Sequence, residues 1–249
     1  MALIHSLEKS GNKLFKYRGH IPVILFILAI PVIYFTNYQF LEDCPISYWF
    51  LLGFAIALSV LGQVIRAISI GTSSKNTSGR NREKQVADAL NTKGIYSTMR
   101  HPLYVGNYFM WIGIVVFTAN IWFFVAVSLA FWVYYERIMF AEERFLERKF
   151  GKDYLDWSLQ VPAFLPSFKN YKKTPIPFSL KTIFRREYSG VTATIIGFLF
   201  VDILRDATIN SAFLFHWRYV IVLGVALFIS LFFRTLKHHT KFLYEEDRS

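Results

Sequence analysis

Three parts of the segment from residue 94 to residue 154 determine the predicted architecture: residues 94–107 read GIYSTMRHPLYVGN, two long apolar runs meet at Asn120, and residues 142–154 read EERFLERKFGKDY. Leu103 to Ala119 and Ile121 to about Phe140 are each long and apolar enough to span a membrane. Because only Asn120 separates them, we expect an antiparallel helical hairpin. Ionisable groups at the mouths of membrane helices are costly, so they indicate a functional site there.

The composition is typical of an integral membrane protein. The 249 residues are 54% hydrophobic, with a positive mean hydropathy, and the apolar runs exceed those of soluble core helices. The formal charge of +11 would suggest nucleic acid on a soluble protein. Here we interpret it as membrane topology plus attraction to anionic lipid, with no nucleic-acid partner. The single cysteine, Cys44, allows no intrachain disulfide, and no metal site is predicted.

The predicted fold class is all-α, a multi-pass helical membrane bundle with about six transmembrane helices, one helical hairpin and a cytoplasmic cofactor pocket. The predicted spans are Ile21 to about Phe40, Ile46 to Ile70, Leu103 to Ala119, Ile121 to about Phe140, Tyr188 to Leu204 and Phe213 to Phe233. The first span follows basic residues without a signal-cleavage pattern, so we expect it to be retained. Residues 1–20 are expected to form a short surface helix, and residues from Arg234 to fray.

The distribution of basic residues predicts the orientation. Segments 9–20, 71–100, 169–187 and 234–249 together hold 20 Lys and Arg residues, whereas the opposite connectors hold two. By the positive-inside rule, both termini and the candidate site face the cytoplasm. We treat residues 1–249 as one membrane domain, with N-terminal spans at 1–70, a catalytic core at 71–168 and a helical hairpin extension at 169–249.

Several single features each have an ordinary structural explanation. Gly106 and Gly113 would let a neighbouring helix or a flat ligand approach, and His101-Pro102 is a common helix start, whose N–H groups suit an anion. Arg66 near the end of the second span either snorkels to the interface or serves a site. The polar loop from Gly71 to Lys93 is long enough to be functional or disordered.

Together, these blocks resemble a known family. Residues 90–107, the hairpin, Glu142-Glu143, Phe150 to Tyr154 and Val161-Pro162 look like the isoprenylcysteine carboxyl methyltransferase and phospholipid methyltransferase superfamily. The resemblance covers about residues 85–168, and the last two spans lie beyond it. It implies methyl transfer from S-adenosyl-L-methionine to a lipid or lipidated acceptor within the bilayer: a prenylcysteine carboxylate, a phospholipid head group or a lipid phosphate.

The resemblance also implies roles for individual residues. Glu142 would lie near the cofactor's amino group, and the other cofactor-binding residues would be Leu90, Asn91, Tyr96, His101, Pro102, Leu103 and Tyr104. The predicted catalytic residues are Arg100, which would orient an anionic acceptor, and Glu143, which together with His101 is a candidate base for an amine acceptor. The third predicted catalytic residue is Arg137, because the family pattern expects an acceptor-binding arginine just before the Glu pair and Arg137 lies near that position, one residue out of register.

Two alternatives remain open from the sequence. An NADPH-dependent sterol or isoprenoid reductase has a similar Arg-His-Pro region, although such enzymes usually have more spans. A non-catalytic transporter or scaffold would use Arg66, Asp202 and Arg205 to line a polar path, but Asp202, Arg205 and Asp206 are more simply a neutralised helix end. The acceptor, the membrane and the oligomeric state are not determined by the sequence.

Overall fold

Helices build the described part of this chain. The structure is a computed structural model that describes residues 2–73, 77, 85–245 and 248. Within those residues the α-helices are α1 (Leu3–Tyr17), α2 (Ile21–Phe35), α3 (Gln39–Asp43), α4 (Pro45–Gly71), α5 (Pro102–Phe117), α6 (Ile121–Phe150), α7 (Lys152–Ser158), α8 (Leu180–Asn210) and α9 (Trp217–His239). Short 3-10 turns occupy Arg18–His20 and Gly94–Ser97.

Most of these helices have the length and composition of membrane spans. Five segments qualify: Leu3–Phe35, which joins α1 to α2, and the helices α4, α6, α8 and α9. Large apolar side chains such as Trp49, Phe50 and Phe228 point outward and are largely exposed, as lipid-facing residues are. The predicted all-α, multi-pass fold is confirmed. The remaining predicted span, Leu103 to Ala119, corresponds to α5, which has 16 residues and is short for a bilayer of ordinary thickness.

Some predicted helix boundaries differ from the structure. α2 ends at Phe35, earlier than the expected Phe40, because Thr36 takes an extended backbone and the separate helix α3 follows. α8 begins at Leu180, well before the expected Tyr188. Its N-cap is Ser179, whose side chain accepts a hydrogen bond from the backbone N–H of the third helical residue at 3.0 Å. Such a cap offsets the lack of partners in the first turn.

The hairpin between α5 and α6 forms as predicted. The Asn120 side chain accepts a hydrogen bond from the Phe123 N–H at 2.9 Å, which caps α6. Ala119 has a positive φ of 58° at the turn. α6 then runs unbroken for 30 residues to Phe150, and Gly151 ends it with a φ of 53°. The hairpin therefore holds the two motif-bearing helix ends side by side.

Among the described helices, α4 and α5 share the most extensive contact, and glycines make their approach possible. A Cβ added to Gly62 would lie 2.4 Å from the backbone nitrogen of Met110, and one added to Gly113 would lie 2.4 Å from the carbonyl oxygen of Ala55. At Gly106 the nearest atom would be Arg66 Cγ at 2.5 Å. Of the two interpretations of Gly106 and Gly113, the structure favours a neighbouring helix.

Both ends of the chain pack on the bundle. α1, the predicted surface helix, lies along α6 and is fixed there by an ion pair of 2.6 Å between Glu8 and Arg148. The prediction that residues from Arg234 fray is wrong, because α9 continues to His239. Beyond it, Leu243 is buried, and Glu245 accepts a hydrogen bond from the hydroxyl group that caps α8. Of the polar loop predicted from Gly71 to Lys93, residues 74–76 and 78–84 lie outside the described residues.

Candidate active site

A cavity of about 230 Å³ lies at the end of the bundle where α5 starts and α6 ends; we call it the site cavity. It brings together ten of the eleven residues predicted from the sequence, namely Leu90, Asn91, Tyr96, Arg100, His101, Pro102, Leu103, Tyr104, Glu142 and Glu143. The exception is Arg137. It is not among the cavity-lining residues, and its backbone carbonyl faces Gly11 of α1.

The Arg-His-Pro segment is held by the chain that follows α7. The N–H of Arg100 donates to the Pro162 carbonyl at 2.9 Å, and the N–H of His101 donates to the Ala163 carbonyl at 3.1 Å. Pro102 is the first residue of α5, as predicted, and His101 is its N-cap. These contacts explain why the Val161-Pro162 block accompanies the motif: it fixes the backbone from which the site side chains project.

Arg100 is the centre of a hydrogen-bonded cluster. Its Nε and Nη2 donate to the two carboxylate oxygens of Glu143 at 2.8 and 3.3 Å. Its Nη1 donates to the carbonyls of Ser158 and Val161 at 2.8 and 2.7 Å. His101 Nε2 lies 2.8 Å from the same Glu143 carboxylate. Because a carboxylate paired in this way is a weak base, Glu143 is better suited to fixing the positions of Arg100 and His101 than to accepting a proton.

Glu142, unlike Glu143, has few charged partners and keeps part of its carboxylate exposed. It accepts a hydrogen bond of 2.7 Å from the Tyr104 hydroxyl, lies 3.8 Å from His101 Nδ1, and remains 32% exposed at its side chain. The rings of His101 and Tyr104 stack, with centroids 5.6 Å apart. Glu142 therefore keeps oxygen surface toward the cavity beside two aromatic faces, a setting that attracts a cation.

The start of α5 offers fewer donors than the sequence predicts. The N–H of Tyr104 turns back to the His101 carbonyl at 3.1 Å, and the N–H of His101 donates to the Ala163 carbonyl at 3.1 Å. Since two of the donors that a helix start leaves unpaired are used in this way, an anion here would depend more on side chains than on the backbone.

Two tyrosines on the cavity wall are shielded from water. Burial raises the pKa of Tyr96 to about 12, and burial together with the nearby Glu143 carboxylate raises the pKa of Tyr154. The Tyr154 hydroxyl is buried and has no hydrogen-bond partner within the described part of the chain. A buried polar atom without a partner at a cavity wall is a place where a ligand can bind.

The shift at Tyr96 predicts a pH dependence of stability. In the unfolded chain this phenol ionises at the ordinary tyrosine pKa of about 10, whereas in the folded protein burial raises its pKa to about 12. The unfolded state therefore binds fewer protons in that window, and stability falls as the pH rises from 10 to 12. We expect Tyr96→Phe to reduce that fall, as measured by thermal unfolding of the detergent-solubilised chain across this range. A variant that loses stability as steeply as the wild type would contradict the assignment.

Part of the cavity wall lies outside the eleven predicted site residues, although a site role was one of the two interpretations of Arg66 from the sequence. Besides the predicted residues, the wall includes Phe15, Arg18, Arg66, Tyr154, Trp157, Arg186 and Glu187. Arg66 does not snorkel, because its Nε and Nη2 donate to Glu187 at 2.7 and 2.8 Å. The two partners are 121 positions apart, so only the packing of α8 on α4 brings them together. An arginine inside a predicted span was the one available signal.

Among the residues that the structure describes, Arg66, Asp202 and Arg205 do not line one common path, as the transporter alternative would require. Arg66 lines the site cavity, whereas Asp202 lines a separate groove between α4, α8 and α9. Arg205 is tied locally to Asp202 and to the Phe117 carbonyl. Among the residues the structure describes, no group of three or more His, Cys, Asp or Glu side chains could hold a metal ion.

Comparison with known proteins agrees with the resemblance seen in the sequence. Residues 50–153 match the family described as phospholipid methyltransferase. Similar proteins include protein-S-isoprenylcysteine O-methyltransferase from Tribolium castaneum, 30% identical over 56% of this chain and 50% of the relative. The Xenopus laevis protein of that name is 33% identical over 48% of this chain and 42% of the relative.

A third relative, protein-S-isoprenylcysteine O-methyltransferase B from Arabidopsis thaliana, is 28% identical over 48% of this chain and 61% of its own length. The chain thus spans about half the length of the curated relatives it matches. No solved structure matches. The predicted resemblance to the isoprenylcysteine carboxyl methyltransferase and phospholipid methyltransferase superfamily is confirmed, and α8 and α9 lie outside the matched family region.

Proposed function

We propose that this chain, whose residues 50–153 match the phospholipid methyltransferase family, is a membrane enzyme that transfers a methyl group from S-adenosyl-L-methionine to a lipid or lipidated acceptor. The observation that carries the proposal is the convergence of Glu142, His101, Tyr104 and the loop at Leu90-Asn91 on the site cavity. These residues belong to three segments that are distant in sequence.

The residues of the cavity fit the cofactor's chemistry. The partly exposed Glu142 complements an ammonium group, and the aromatic faces of His101, Tyr104 and Tyr96 attract a sulfonium. The Tyr154 hydroxyl, which has no hydrogen-bond partner among the described residues, supplies a further hydrogen-bonding group. When bound, S-adenosyl-L-methionine supplies an activated methyl group. The role of the protein is to hold the acceptor and the methyl donor in line and to exclude water. Such positioning lowers the activation free energy by about 7 to 11 kcal/mol in favourable cases.

The acceptor decides whether a base is needed. A carboxylate or phosphate is already an anion and attacks without losing a proton. An amine must lose one, and the candidate bases Glu143 and His101 contact each other at 2.8 Å in a cluster that also contains Arg100. That arrangement leaves no unpaired base in the cluster, so the chemistry favours an anionic acceptor.

The membrane placement belongs to the same proposal. With the termini, the polar loop and the site cavity facing the cytoplasm, the cofactor would enter from the water-filled side and the acceptor from the bilayer. The excess of Lys and Arg in the segments at that end supports this orientation.

The proposal predicts that Glu142→Gln weakens binding of S-adenosylhomocysteine, which keeps the amino group, by about 10- to 100-fold, because a charged hydrogen bond is lost. Isothermal titration of the detergent-solubilised chain measures this. Glu136→Gln is a suitable control, because Glu136 is an exposed residue of α6 outside the cavity lining.

The same titration separates the candidate functions. Binding of NADPH without binding of S-adenosylhomocysteine would replace the proposal with a reductase. If neither ligand binds, the non-catalytic alternative would replace the proposal. Methyl transfer itself would appear as a 14 Da gain in lipid or protein extracts that contain the chain.

A further inference from the structure

Residues 159–179 join α7 to α8, and we call them the connector. The connector lies beyond the matched family region, and none of its residues lines the site cavity. Its charge has one sign, because the chain between Asp156 and Glu187 has six Lys and Arg residues and no Asp or Glu. Large apolar side chains and lysines are exposed together in the connector: Leu165, Phe168, Lys169, Tyr171, Lys172 and Lys173.

The connector is held against the segment that leads into the Arg-His-Pro motif. The Ser167 N–H donates to the Thr98 carbonyl at 2.9 Å, and the Gly94 N–H donates to the Lys172 carbonyl at 2.7 Å. The Lys172 N–H donates to the Ser97 hydroxyl at 2.9 Å. These backbone groups are therefore paired on the inner side of the connector, while the Lys172 side chain is exposed on the outer side.

The hairpin indicates the depth of the connector in a bilayer. α5 has 16 residues, or about 24 Å at 1.5 Å per residue, and the hydrocarbon core is about 30 Å thick. If the turn at Asn120 lies at one membrane surface, residues 94–101 and the connector bonded to them lie at the opposite interface. α6 has 30 residues, or about 45 Å, so its end at Phe150 projects beyond that interface into water.

This combination of depth, charge and exposed apolar surface fits a lipid partner better than a soluble acidic one. Leu165 and Phe168 are 75% and 72% exposed, which is unfavourable in water and favourable among lipid chains. Lysines beside apolar and aromatic side chains are typical of segments that bind an anionic membrane surface. Residues 147–156, at the end of α6, have three acidic and three basic residues instead, so the excess of positive charge belongs to the connector.

We propose that the connector is a binding surface for anionic phospholipids of the surrounding leaflet. Its lysines, Lys169, Lys172 and Lys173, contact the head-group oxygens, and Leu165 and Phe168 insert among the lipid chains. The inference goes beyond the proposed function, because the bound lipid is neither methyl donor nor acceptor. Its head group lies on the outer side of the segment that leads to the Arg-His-Pro motif.

A local fluorescence measurement tests this surface. Cys44 is the single cysteine of the chain, so Cys44→Ser combined with Asn170→Cys places one bimane label at an exposed position of the connector. The labelled full-length chain is reconstituted in phosphatidylcholine vesicles. These contain a small fraction of phosphatidylserine or of phosphatidylcholine, each with the same nitroxide quencher near the head group. The two probes therefore differ only in the charge and chemistry of the head group.

We expect both probes to quench the label, because the connector lies at the interface. The phosphatidylserine probe should reach the same quenching at a mole fraction at least about 5-fold lower, the factor given by one lysine near an anionic lipid. The triple variant Lys169→Gln, Lys172→Gln and Lys173→Gln should bring the ratio of the two mole fractions close to one. Quenching by phosphatidylcholine should persist in this variant, since the apolar side chains remain.

Two controls separate the connector from the rest of the chain. Lys9→Gln with Lys13→Gln and Lys16→Gln removes the same three charges from exposed positions of α1, and this variant should keep the wild-type ratio. A label at Lys152→Cys, an exposed position beyond the end of α6, should be quenched much less by either probe. The wild-type ratio should also approach one in about 1 M NaCl, where the Debye length is about 3 Å.

Several results would overturn the inference. A connector label quenched by neither probe would place the connector in water and leave its lysines for a soluble partner. Equal quenching by both probes would mean that the connector contacts lipid without selecting anions. An equal loss of preference in the α1 variant would assign the effect to the net charge of the chain. The salt dependence is measured on the wild-type sequence at these lysines, so a ratio unchanged by salt contradicts the proposal even if the triple variant fails to fold.

Discussion

Replacing Arg100 with alanine is expected to lower the rate of the proposed methyl transfer about 100-fold and to destabilise the fold by about 3 kcal/mol. The rate effect corresponds to the cost of a displacement of about 1 Å in a positioned site. The stability effect is at the lower end of the range for breaking a buried ion pair, because the Arg100 and Glu143 side chains are 17% and 25% exposed.

The physical reason is the number of contacts that end on one guanidinium. Arg100 binds both oxygens of Glu143 and the carbonyls of Ser158 and Val161. It therefore ties α6 to the chain after α7, and that chain holds His101 through the backbone. Without the guanidinium, the Glu143 carboxylate would keep His101 as its main partner, and the ring beside Glu142 would lose its orientation.

A lysine at position 100 distinguishes two roles of Arg100, namely holding its hydrogen-bond partners in place and supplying a positive charge. Arg100→Lys keeps the positive charge but cannot reproduce the planar fork. If Arg100 braces the site, the lysine variant should lose nearly as much turnover as alanine, with reduced affinity for S-adenosylhomocysteine in both. If Arg100 instead orients an anionic acceptor through its charge, the KM for the acceptor in the lysine variant should stay close to the wild-type KM. In that case Arg100 would not act by holding the site side chains in place.

The convergence of the site residues follows from simple helix geometry. His101 precedes the turn at Asn120 by about 19 residues, and Glu142 follows it by about 22. At 1.5 Å per residue, two antiparallel helices bring such positions to nearly the same height. The sequence therefore predicts that the Arg-His-Pro motif and the Glu pair meet, and both line the site cavity.

The remaining wall could not be predicted in this way, because it depends on contacts between distant segments. α1 lies on α6 through Gly11, where an added Cβ would be 2.1 Å from the Arg137 carbonyl oxygen. Nothing in the local sequence of Gly11 indicates that partner. Likewise, the basic run before Tyr188 resembles a linker, and the early start of α8 depends on the cap at Ser179. That start is what brings Glu187 to Arg66.

A second large effect is expected at the other end of α8, where Arg205→Met should destabilise the protein by about 3 to 5 kcal/mol. Arg205 is 2% exposed at its side chain. It donates to Asp202 at 2.7 Å and to the Phe117 carbonyl at 3.0 Å, and its guanidinium carbon lies 4.1 Å from the centre of the Phe117 ring. Removing it leaves a carboxylate within the bundle with the Tyr48 hydroxyl as its nearest partner, at 3.1 Å.

Thermal unfolding in lipid nanodiscs measures the effect, and two further variants define its origin. Arg218→Gln removes an exposed cation that lies 3.6 Å from the same carboxylate, and it should cost less than about 1 kcal/mol. The double variant Asp202→Asn with Arg205→Met removes both charges and should recover much of the loss. A double variant as unstable as Arg205→Met alone would mean that the guanidinium acts by packing and not by pairing.

The Arg205 variants also test whether the Asp202–Arg205 pair affects the site cavity. Arg205 joins α8 to the end of α5, while Glu187, 18 residues and therefore about 27 Å away along the same helix, joins α8 to Arg66. The helix is thus fixed in register at both ends. If Arg205→Met lets α8 shift, the Arg66–Glu187 ion pair should loosen while S-adenosylhomocysteine still binds, because Glu142 and His101 belong to the hairpin and not to α8. Loss of S-adenosylhomocysteine binding as well would instead indicate that the whole bundle had loosened.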